Sequence, residues 1–303
     1  MFTNQTIKFD ENVSLQVYIW EPKKEPVGVI QIAHGMAEHL GRYDAFGEYF
    51  SNLGYLVIGA DHYAHGLSCQ NPEEIGVIKE YDFMDAILKS IKLIHTEFIE
   101  PLTYKNRILF AHSMGSMTAQ RYIELYPNDF TKVVICGTDC YSIKYLFAQL
   151  LTSGKGKRGK IVYSEFVHNM GVGSFNKKFM KEHPKYGWLS NDMSIIEKYD
   201  NDKLCGRMFP ANYYHSLAKL LRVSFKSKEL EKINKDLSIM IIAGKDDPVG
   251  GFGNGPIKLS ERYLKLGLNT RTIIYDKARH ELLNEVPEIR EIVLKDLKTF
   301  MEN

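Results

Sequence analysis

The feature that most constrains the fold of this 303-residue chain is an alternation of short apolar runs with longer segments of helical spacing. In the first half, the expected strands are 27–32, 55–59, 108–111 and 133–136, and the expected helices are 43–53, 81–98 and 114–126. Continuous apolar runs are typical of strands that are covered on both faces. The alternation therefore predicts a mostly parallel sheet with helices on both faces.

The two ends of the chain extend this sheet. Two β-type runs, Thr6–Phe9 and Leu15–Trp20, flank a turn-type triplet and predict an antiparallel pair. Towards the C-terminus, the expected strands are 237–243 and 270–275, and the expected helices are 256–266 and 287–301. The sequence as a whole predicts an α/β fold with about eight strands, of which the first are antiparallel.

The alternation breaks at residues 138–215, where no apolar run of comparable strength occurs. We expect a largely helical cap there, inserted after the sixth strand into a core formed by 1–137 and 216–303. The apolar stretch YSIKYLFAQLL at 141–151 suits an acyl chain, but it suits burial of the cap against the core equally well. A basic cluster could meet an anionic head group, although a solvated loop is the more ordinary interpretation; it consists of Lys155, Lys157, Arg158 and Lys160.

Composition argues against several functional classes. With 39 basic and 37 acidic residues the formal net charge is +2, so nothing favours nucleic acid as a partner. The four cysteines form no CxxC pair, and we expect neither a metal nor a cofactor. The N-terminus lacks a signal-peptide pattern and no run is long enough for a transmembrane segment, so we expect a cytoplasmic protein with reduced thiols. The oligomeric state is left open.

A serine stands at one of the expected strand-to-helix junctions. Ser113 separates the strand 108–111 from the helix that follows, and it is flanked by the small residues Ala111 and Gly115. Ligands of open α/β sheets bind at the carboxyl ends of the strands, and a nucleophile on such a sharp turn needs small residues on either side. A serine at this position could also serve only as a helix cap. The residues that follow other strands favour the nucleophile.

A candidate base and a candidate acid follow two later strands. His280 lies after the last apolar strand and is the candidate base, the alternative being a surface-loop histidine. Of the neighbouring Asp246 and Asp247 we favour Asp247 as the acid, because Pro248 fixes the turn directly after it. Asp139 is a weaker alternative, and the Asp-Asp-Pro cluster could be turn chemistry alone. The order serine, aspartate, histidine is the one expected for a hydrolase of this fold.

The loop HGMAEH at 34–39 is the candidate source of an oxyanion hole. One N–H donor is expected from Met114, directly after the serine, and the other from Met36. Gly35 would allow the backbone to approach closely. His34 is expected to support this loop rather than to act as a second base.

Two more histidines, His62 and His65, follow the fourth strand. Their spacing invites a zinc interpretation, but no carboxylate or cysteine at ligand spacing accompanies them. We therefore expect a hydrogen-bonded turn beneath the site.

Five stretches of the chain resemble the α/β-hydrolases of the monoacylglycerol lipase and lysophospholipase group, which sequence classifications join with serine aminopeptidases. They are HGMAEHLGRY at 34–43, GADHYAHGLS at 59–68, AHSMGSMTAQRY at 111–122, AGKDDPVGGFGNG at 243–255 and RHELLNE at 279–285. The resemblance implies an α/β-hydrolase fold with Ser113 as nucleophile, Asp247 as acid and His280 as base. It also implies an oxyanion N–H from Met36.

The chain departs from this family at two positions beside the nucleophile. Ala111 and Ser116 stand where the family usually has glycine. Both replacements are small, so we still expect an intact turn.

These residues together predict a serine hydrolase that cleaves carboxylic esters through an acyl-enzyme. The resemblance implies a small ester with an apolar acyl group, such as a monoacylglycerol, a lysophospholipid or a similar short-to-medium acyl ester. An aminopeptidase acting on small peptides is the alternative, for which Glu165, Glu182 or Asp192 would have to hold a free amine. A non-catalytic binding protein of the same fold is a third alternative, disfavoured because all three members of the triad are present.

Overall fold

The computed structural model describes residues 2–154 and 160–303, and in this part of the chain eight strands form a single sheet. Their bounds are β1 (Thr3–Lys8), β2 (Ser14–Trp20), β3 (Gly28–Ala33), β4 (Tyr55–Ala60), β5 (Arg107–His112), β6 (Lys132–Cys136), β7 (Ser238–Gly244) and β8 (Asn269–Tyr275). The spatial order is β1-β2-β4-β3-β5-β6-β7-β8. β2 pairs antiparallel with β1 and β4, and the other pairs are parallel. The expected sheet of about eight strands, antiparallel at its start, is confirmed.

Helices cover both faces of this sheet. Their bounds are α1 (Asp44–Asn52), α2 (Phe83–Ile94), α3 (Met114–Leu125), α4 (Ile143–Thr152), α5 (Glu165–Met170), α6 (Met193–Asn201), α7 (Ala211–Ser224), α8 (Ser227–Leu230), α9 (Asn254–Lys265) and α10 (Pro287–Glu302). Short 3₁₀ turns lie at Leu40–Tyr43, Gly66–Ser68, Pro72–Glu74, Val172–Lys178 and Leu282–Asn284. None of the helices in the described residues combines the length and apolar content needed to cross a membrane.

Alternate residues of the central strands face two separate apolar cores, as the period of a β-strand requires. On β5, Leu109 and Ala111 belong to the core that is covered by α2, α3 and α9. Ile108 and Phe110 belong to the opposite core, which is covered by α1 and α10. β5 is buried on both faces and lies inside the sheet, so it holds the residue that follows it in a fixed position.

One helix differs from its expected form. The sequence predicts a single helix over 81–98, whereas α2 ends at Ile94 and a π-helical turn follows at His95–Ile99. The amide of Glu100 donates to the carbonyl oxygen of His95 at 2.8 Å, a five-residue step. The wider turn keeps both Ile94 and Ile99 in the core, although their five-residue spacing does not fit one face of a regular α-helix.

The segment between β6 and β7 contains helices α4 to α8 and no strand among its described residues. The expected boundary between residues 215 and 216 falls inside α7, which packs against α2 and α3 as well as against α4. Helix α4 exposes Ile143, Phe147 and Leu150, so this face of the apolar stretch does not bury the cap against the core. Lys155, Lys157 and Arg158 of the basic cluster lie outside the described residues.

Candidate active site

Ser113 occupies a strained turn between β5 and α3. Its backbone has φ 53° and ψ −118°, which residues other than glycine rarely adopt. Its amide donates to the carbonyl oxygen of Cys136 at the end of β6, at 2.9 Å. Although Ser113 stands at the N-cap of α3, its side chain makes no capping hydrogen bond. The Ser113 hydroxyl is therefore not engaged in capping α3, and the turn presents it at the end of β5.

Close packing around this turn explains why the residues on either side of Ser113 are small. A Cβ atom at Gly115 would lie 2.2 Å from the carbonyl oxygen of Ala33, so the first turn of α3 packs directly on the end of β3. Ala111 is a buried strand residue that pairs with Ala33 and Ile135 and is not among the residues with positive φ. Its methyl group is therefore accommodated in β5. The Ser116 hydroxyl donates to the carbonyl oxygen of Ser113 at 2.6 Å.

His280 and Asp247 form a buried hydrogen-bonded pair. The Nδ1 atom of His280 lies 2.9 Å from Oδ2 of Asp247, and both side chains are almost fully buried. The other carboxylate oxygen of Asp247 accepts from the amide of Val249 at 2.9 Å, so both oxygens are held. A Cβ atom at Gly137 would lie 3.0 Å from the imidazole, so the chain needs glycine there, where φ is +60°.

The two other candidate aspartates point elsewhere. Asp246 is partly exposed and pairs with Lys178 at 2.6 Å. Asp139 accepts from the Tyr145 hydroxyl at 2.6 Å and pairs with Lys144 at 2.5 Å. Of the three candidates, Asp247 is the one that contacts His280.

In the candidate oxyanion loop, both polar backbone groups of Gly35 form hydrogen bonds with side chains. Its amide donates to Oε1 of Glu38 at 2.6 Å, and its carbonyl oxygen contacts Nδ1 of His34 at 2.8 Å. Because the amide of His62 donates to Nε2 of His34 at 3.0 Å, the hydrogen of that ring is on Nδ1. In a trans peptide the N–H of Met36 points away from the Gly35 carbonyl, so its direction is fixed as well.

The loop also lies close to the nucleophile. A Cβ atom at Gly35 would stand 3.0 Å from Cβ of Ser113 and 2.6 Å from the Glu38 carboxylate. Met36 and Met114, whose N–H groups are the candidate donors, line the same cavity as Ser113 and His280.

His62 and His65 pack with His34 in a buried group of three rings. The ring centroid of His34 is 4.2 Å from that of His62 and 5.3 Å from that of His65. Burial lowers the pKa of His34 to about 4 and that of His65 to about 3, and it holds the pKa of His62 well below its usual value. All three rings are therefore neutral at neutral pH, and His62 and His65 pack against His34 at the start of the candidate oxyanion loop.

One other group of side chains offers three possible metal ligands within the described residues. Atoms of His39, Asp202 and Cys205 lie within 4.8 Å of one another. However, Nε2 of His39 is only 2.9 Å from Oδ2 of Asp202. Two ligands of one tetrahedral zinc ion are about 3.4 Å apart, given zinc–ligand bonds of about 2.1 Å. The His39–Asp202 contact therefore fits a hydrogen bond better than shared coordination.

A buried charged network, which we call the Glu38 network, lies behind the candidate nucleophile and base. It consists of Glu38, Arg42, His112 and Glu281. Arg42 makes a bidentate pair with Glu281 at 2.6 and 2.7 Å and reaches Glu38 at 2.8 Å. Nδ1 of His112 is 3.0 Å from Oε1 of Glu38. No motif in the sequence indicates a role for these residues, although Glu38 and Arg42 lie in the stretch HGMAEHLGRY and His112 precedes the serine.

A cavity of about 530 Å³ opens above Ser113 and His280. Apolar side chains of the segment between β6 and β7 form most of its far wall: Tyr145, Ala148, Leu151, Val167, Met170, Val172, Phe175, Met180, Tyr214 and Leu217. Lys177, Lys185 and Arg207 also border it. Glu165, Glu182 and Asp192 are not among the lining residues; Asp192 caps α6, and Glu182 pairs with Arg279.

Trp188 joins the cap segment to the candidate base. Its ring centroid lies 5.0 Å from that of His280, and its carbonyl oxygen accepts from the His280 amide at 3.4 Å. Arg279 donates to the carbonyl oxygens of Gly187 and Ser190 and strengthens the same junction. No local pattern around Trp188 indicates this role, because the contact spans about ninety residues of sequence.

Comparisons with known proteins find similar sequences and a similar solved structure over nearly the whole chain. A Monkeypox virus protein named monoglyceride lipase homolog is 24% identical over 311 residues and covers 100% of this chain and 99% of its own. The probable lysophospholipase L2 of Haemophilus influenzae is 24% identical, with 99% of this chain and 92% of that protein covered. A carboxyl esterase structure from Bacillus coagulans, in complex with glycerol, has a TM-score of 0.85 at 23% identity, with 99% and 98% of the two chains covered.

The family match spans nearly the whole chain. The family described as serine aminopeptidase, S33, matches residues 24–287, a range that contains Met36, Ser113, Asp247 and His280. The chain therefore has the α/β-hydrolase fold and belongs to the S33 serine aminopeptidase family.

Proposed function

We propose that this chain hydrolyses carboxylic esters through an acyl-enzyme on Ser113. The observation that carries the proposal is the Asp247–His280 pair, 2.9 Å apart and buried, beside a cavity that Ser113 also lines. A strained serine turn adds support, because such strain is typical of a nucleophile on this fold.

In the first half of the reaction, Oγ of Ser113 attacks the ester carbonyl carbon and its proton passes to Nε2 of His280. Asp247 holds the Nδ1 hydrogen and stabilises the imidazolium that forms. The N–H groups of Met36 and Met114 bind the oxyanion, and the positive end of α3 adds to that stabilisation. The carbon–oxygen bond to the leaving alcohol then breaks, and His280 gives the alcohol its proton.

In the second half, water replaces the alcohol. His280 takes a proton from the water as its oxygen attacks the acyl carbon, and then returns the proton to Oγ of Ser113 as the acyl–serine bond breaks. A carboxylic acid leaves and the enzyme is restored.

Substrates with one apolar chain and a small polar alcohol suit this cavity best. Its far wall is built from aliphatic and aromatic side chains, which would bury an acyl chain. The names of the relatives from Monkeypox virus and Haemophilus influenzae, a monoglyceride lipase homolog and a probable lysophospholipase, point the same way. We therefore propose monoacylglycerols and lysophospholipids as the substrate class.

An aminopeptidase is the second candidate because the family carries that description. It would need an unpaired carboxylate in the cavity to hold a free amine. The two acidic residues that line the cavity, Glu38 and Glu281, are both engaged by Arg42. The three cap carboxylates considered for this purpose, Glu165, Glu182 and Asp192, do not line it. These contacts favour esters over peptides.

One panel of assays tests the proposal. It comprises p-nitrophenyl esters of rising chain length, a monoacylglycerol, a lysophospholipid and amino-acid p-nitroanilides, each with wild type and Ser113→Ala. We expect hydrolysis of the esters that disappears in the variant, and little turnover of the anilides. Faster cleavage of the anilides would favour the aminopeptidase, and no turnover of any substrate would contradict catalysis.

A further inference from the structure

His112 contacts three loops that meet at the proposed active site. Its own backbone forms the end of β5, directly before Ser113. Nδ1 of its ring lies 3.0 Å from the Glu38 carboxylate, in the loop that carries Met36. Nε2 of the ring lies 3.4 Å from the main-chain carbonyl oxygen of His280. Both neighbouring oxygens are acceptors, so the arrangement is satisfied when both ring nitrogens carry hydrogen.

The charges of the Glu38 network lead to the same protonation state. Glu38 and Glu281 are two buried carboxylates, and Arg42 supplies only one positive charge between them. An unbalanced charge in the interior is costly. A positively charged His112 makes the four side chains neutral overall.

The pKa shifts of Glu38 and His112 agree with this balance of charges. Burial lowers the pKa of His112, but the hydrogen bond to Glu38 and the charge of Glu38 outweigh burial, so the pKa lies above the usual value. Burial raises the pKa of Glu38, but the hydrogen bond and charge of His112 and the charge of Arg42 hold it well below the usual value. Each partner thus favours the charged form of the other.

We propose that His112 is a positioning residue that works as an imidazolium, tying the oxyanion loop and the loop of the base to the nucleophile turn through its two N–H groups. The positioning role rests on the proposed function, whereas the charge state does not. Loss of the proton would leave a lone pair of the ring facing an oxygen and would release one of the two loops. Activity then depends on the protonation of His112, although the His112 proton is not transferred in the reaction.

The surroundings of His112 decide the direction of the pH effect. The ring faces Glu38 and Glu281, which favour its charge, and His34, which is neutral. It also packs against the ring of His280, with 4.8 Å between centroids. We therefore expect kcat/KM to fall at high pH, on a limb whose apparent pKa lies above the usual histidine value of about 6.5.

The charge state can be measured without any assay of activity. Protein labelled with ¹⁵N-histidine is recorded in long-range ¹H–¹⁵N NMR spectra through an alkaline titration, and His112 is assigned by the signals lost in His112→Asn. We expect two protonated ring nitrogens on His112 at neutral pH. Glu38→Gln should shift its titration to lower pH. Tyr43→Phe is the matched control, because the Tyr43 hydroxyl donates to the same carboxylate oxygen at 3.0 Å but carries no charge.

Kinetics then tests the positioning role. In His112→Asn, whose amide can still reach Glu38, we expect kcat to fall on the order of 10²-fold with little change in KM, and the alkaline limb to vanish. His112→Ala should lose more, and Tyr43→Phe should keep the limb. A neutral His112 at pH 7, or wild-type kcat in His112→Asn, would overturn the inference. Absence of ester hydrolysis by wild type would overturn the proposed function, while the NMR result for His112 would still decide its charge.

Discussion

Oδ2 of Asp247 lies 2.9 Å from Nδ1 of His280, and both residues follow the carboxyl ends of neighbouring strands. This contact distinguishes Asp247 from Asp246, which directs its carboxylate to Lys178 near the surface. An aspartate that binds Nδ1 fixes the tautomer in which Nε2 can accept a proton.

Replacement of either aspartate by asparagine tests that distinction. We expect Asp247→Asn to lower kcat/KM on the order of 10⁴-fold, because an amide at this position favours the wrong tautomer of His280. Asp246→Asn should remain within a few-fold of wild type, since an exposed ion pair contributes little. Steady-state kinetics on one p-nitrophenyl ester measures both. Equal losses in the two variants would refute the assignment of Asp247.

The backbone of Ser113 should make the fold less stable, although its hydroxyl is needed for activity. Both Ser113→Ala and Ser113→Gly remove the hydroxyl, and each should lose most of the rate, on the order of 10⁴-fold or more. Only glycine relieves the positive φ of 53°. We therefore expect Ser113→Gly to unfold with a free energy about 1 kcal/mol higher than that of Ser113→Ala. Chemical denaturation compares the two variants, and equal stability would show that the turn is unstrained.

The Ser113 turn, the candidate triad residues and most of the fold can be predicted from the sequence, because each of them is indicated by a local pattern. Ala111, Ser113 and Gly115 are adjacent to a buried strand, and the small-residue requirement can be read from the chain. The Glu38–His112 contact cannot be read in this way, since it joins residues 74 positions apart. Arg42 and Glu281 are separated by 239 positions. Ordinary charged residues become a network only when the sheet brings their loops together.

Contacts between residues distant in the chain also decide what the sequence leaves open in the cap. The pattern of 138–215 predicts helices without strands, and the described residues agree. It does not indicate that Trp188 would lie against His280, or that α7 would cross the expected boundary at 215. Packing of this segment depends on surfaces of α2 and α3 that are distant in the chain.

Gly35 should be intolerant of any side chain. An added methyl group would meet the Glu38 carboxylate at 2.6 Å and Cβ of Ser113 at 3.0 Å, which would displace the oxyanion loop. We expect Gly35→Ala to lower kcat/KM on the order of 10²-fold. Gly154→Ala is the control, because a methyl group there has no atom of the described residues within 4 Å. Wild-type kinetics in Gly35→Ala would show that the loop can shift without cost.

The buried neutral histidines should make the fold sensitive to acid. Burial lowers the pKa of His65 to about 3, whereas the usual histidine value is about 6.5. Between these two pH values the unfolded chain binds a proton on His65 that the folded chain does not bind. The stability due to His65 is thus present above pH 6.5 and lost as pH falls. His65→Asn, which can keep the hydrogen bond to the Tyr63 carbonyl, removes this titration.

The stability difference between wild type and His65→Asn should therefore depend on pH. We expect it to be constant above pH 7 and to move in favour of the variant by about 1.4 kcal/mol per pH unit as pH falls below 6. Urea unfolding at a series of pH values measures this slope. A difference that does not change with pH would mean that His65 is protonated equally in both states.

The central claim, that Ser113 is the nucleophile of a serine hydrolase, is tested most directly by mass spectrometry after reaction with a fluorophosphonate. The tryptic peptide 108–121 contains Ser113 and Ser116, so fragmentation distinguishes the two hydroxyls, and Ser113→Ala and Ser116→Ala serve as a matched pair. We predict one adduct, on Ser113, that is retained in Ser116→Ala, lost in Ser113→Ala and formed far more slowly in His280→Ala. Ester hydrolysis that continues while Ser113 stays unlabelled, or an adduct on Ser116, would contradict the claim.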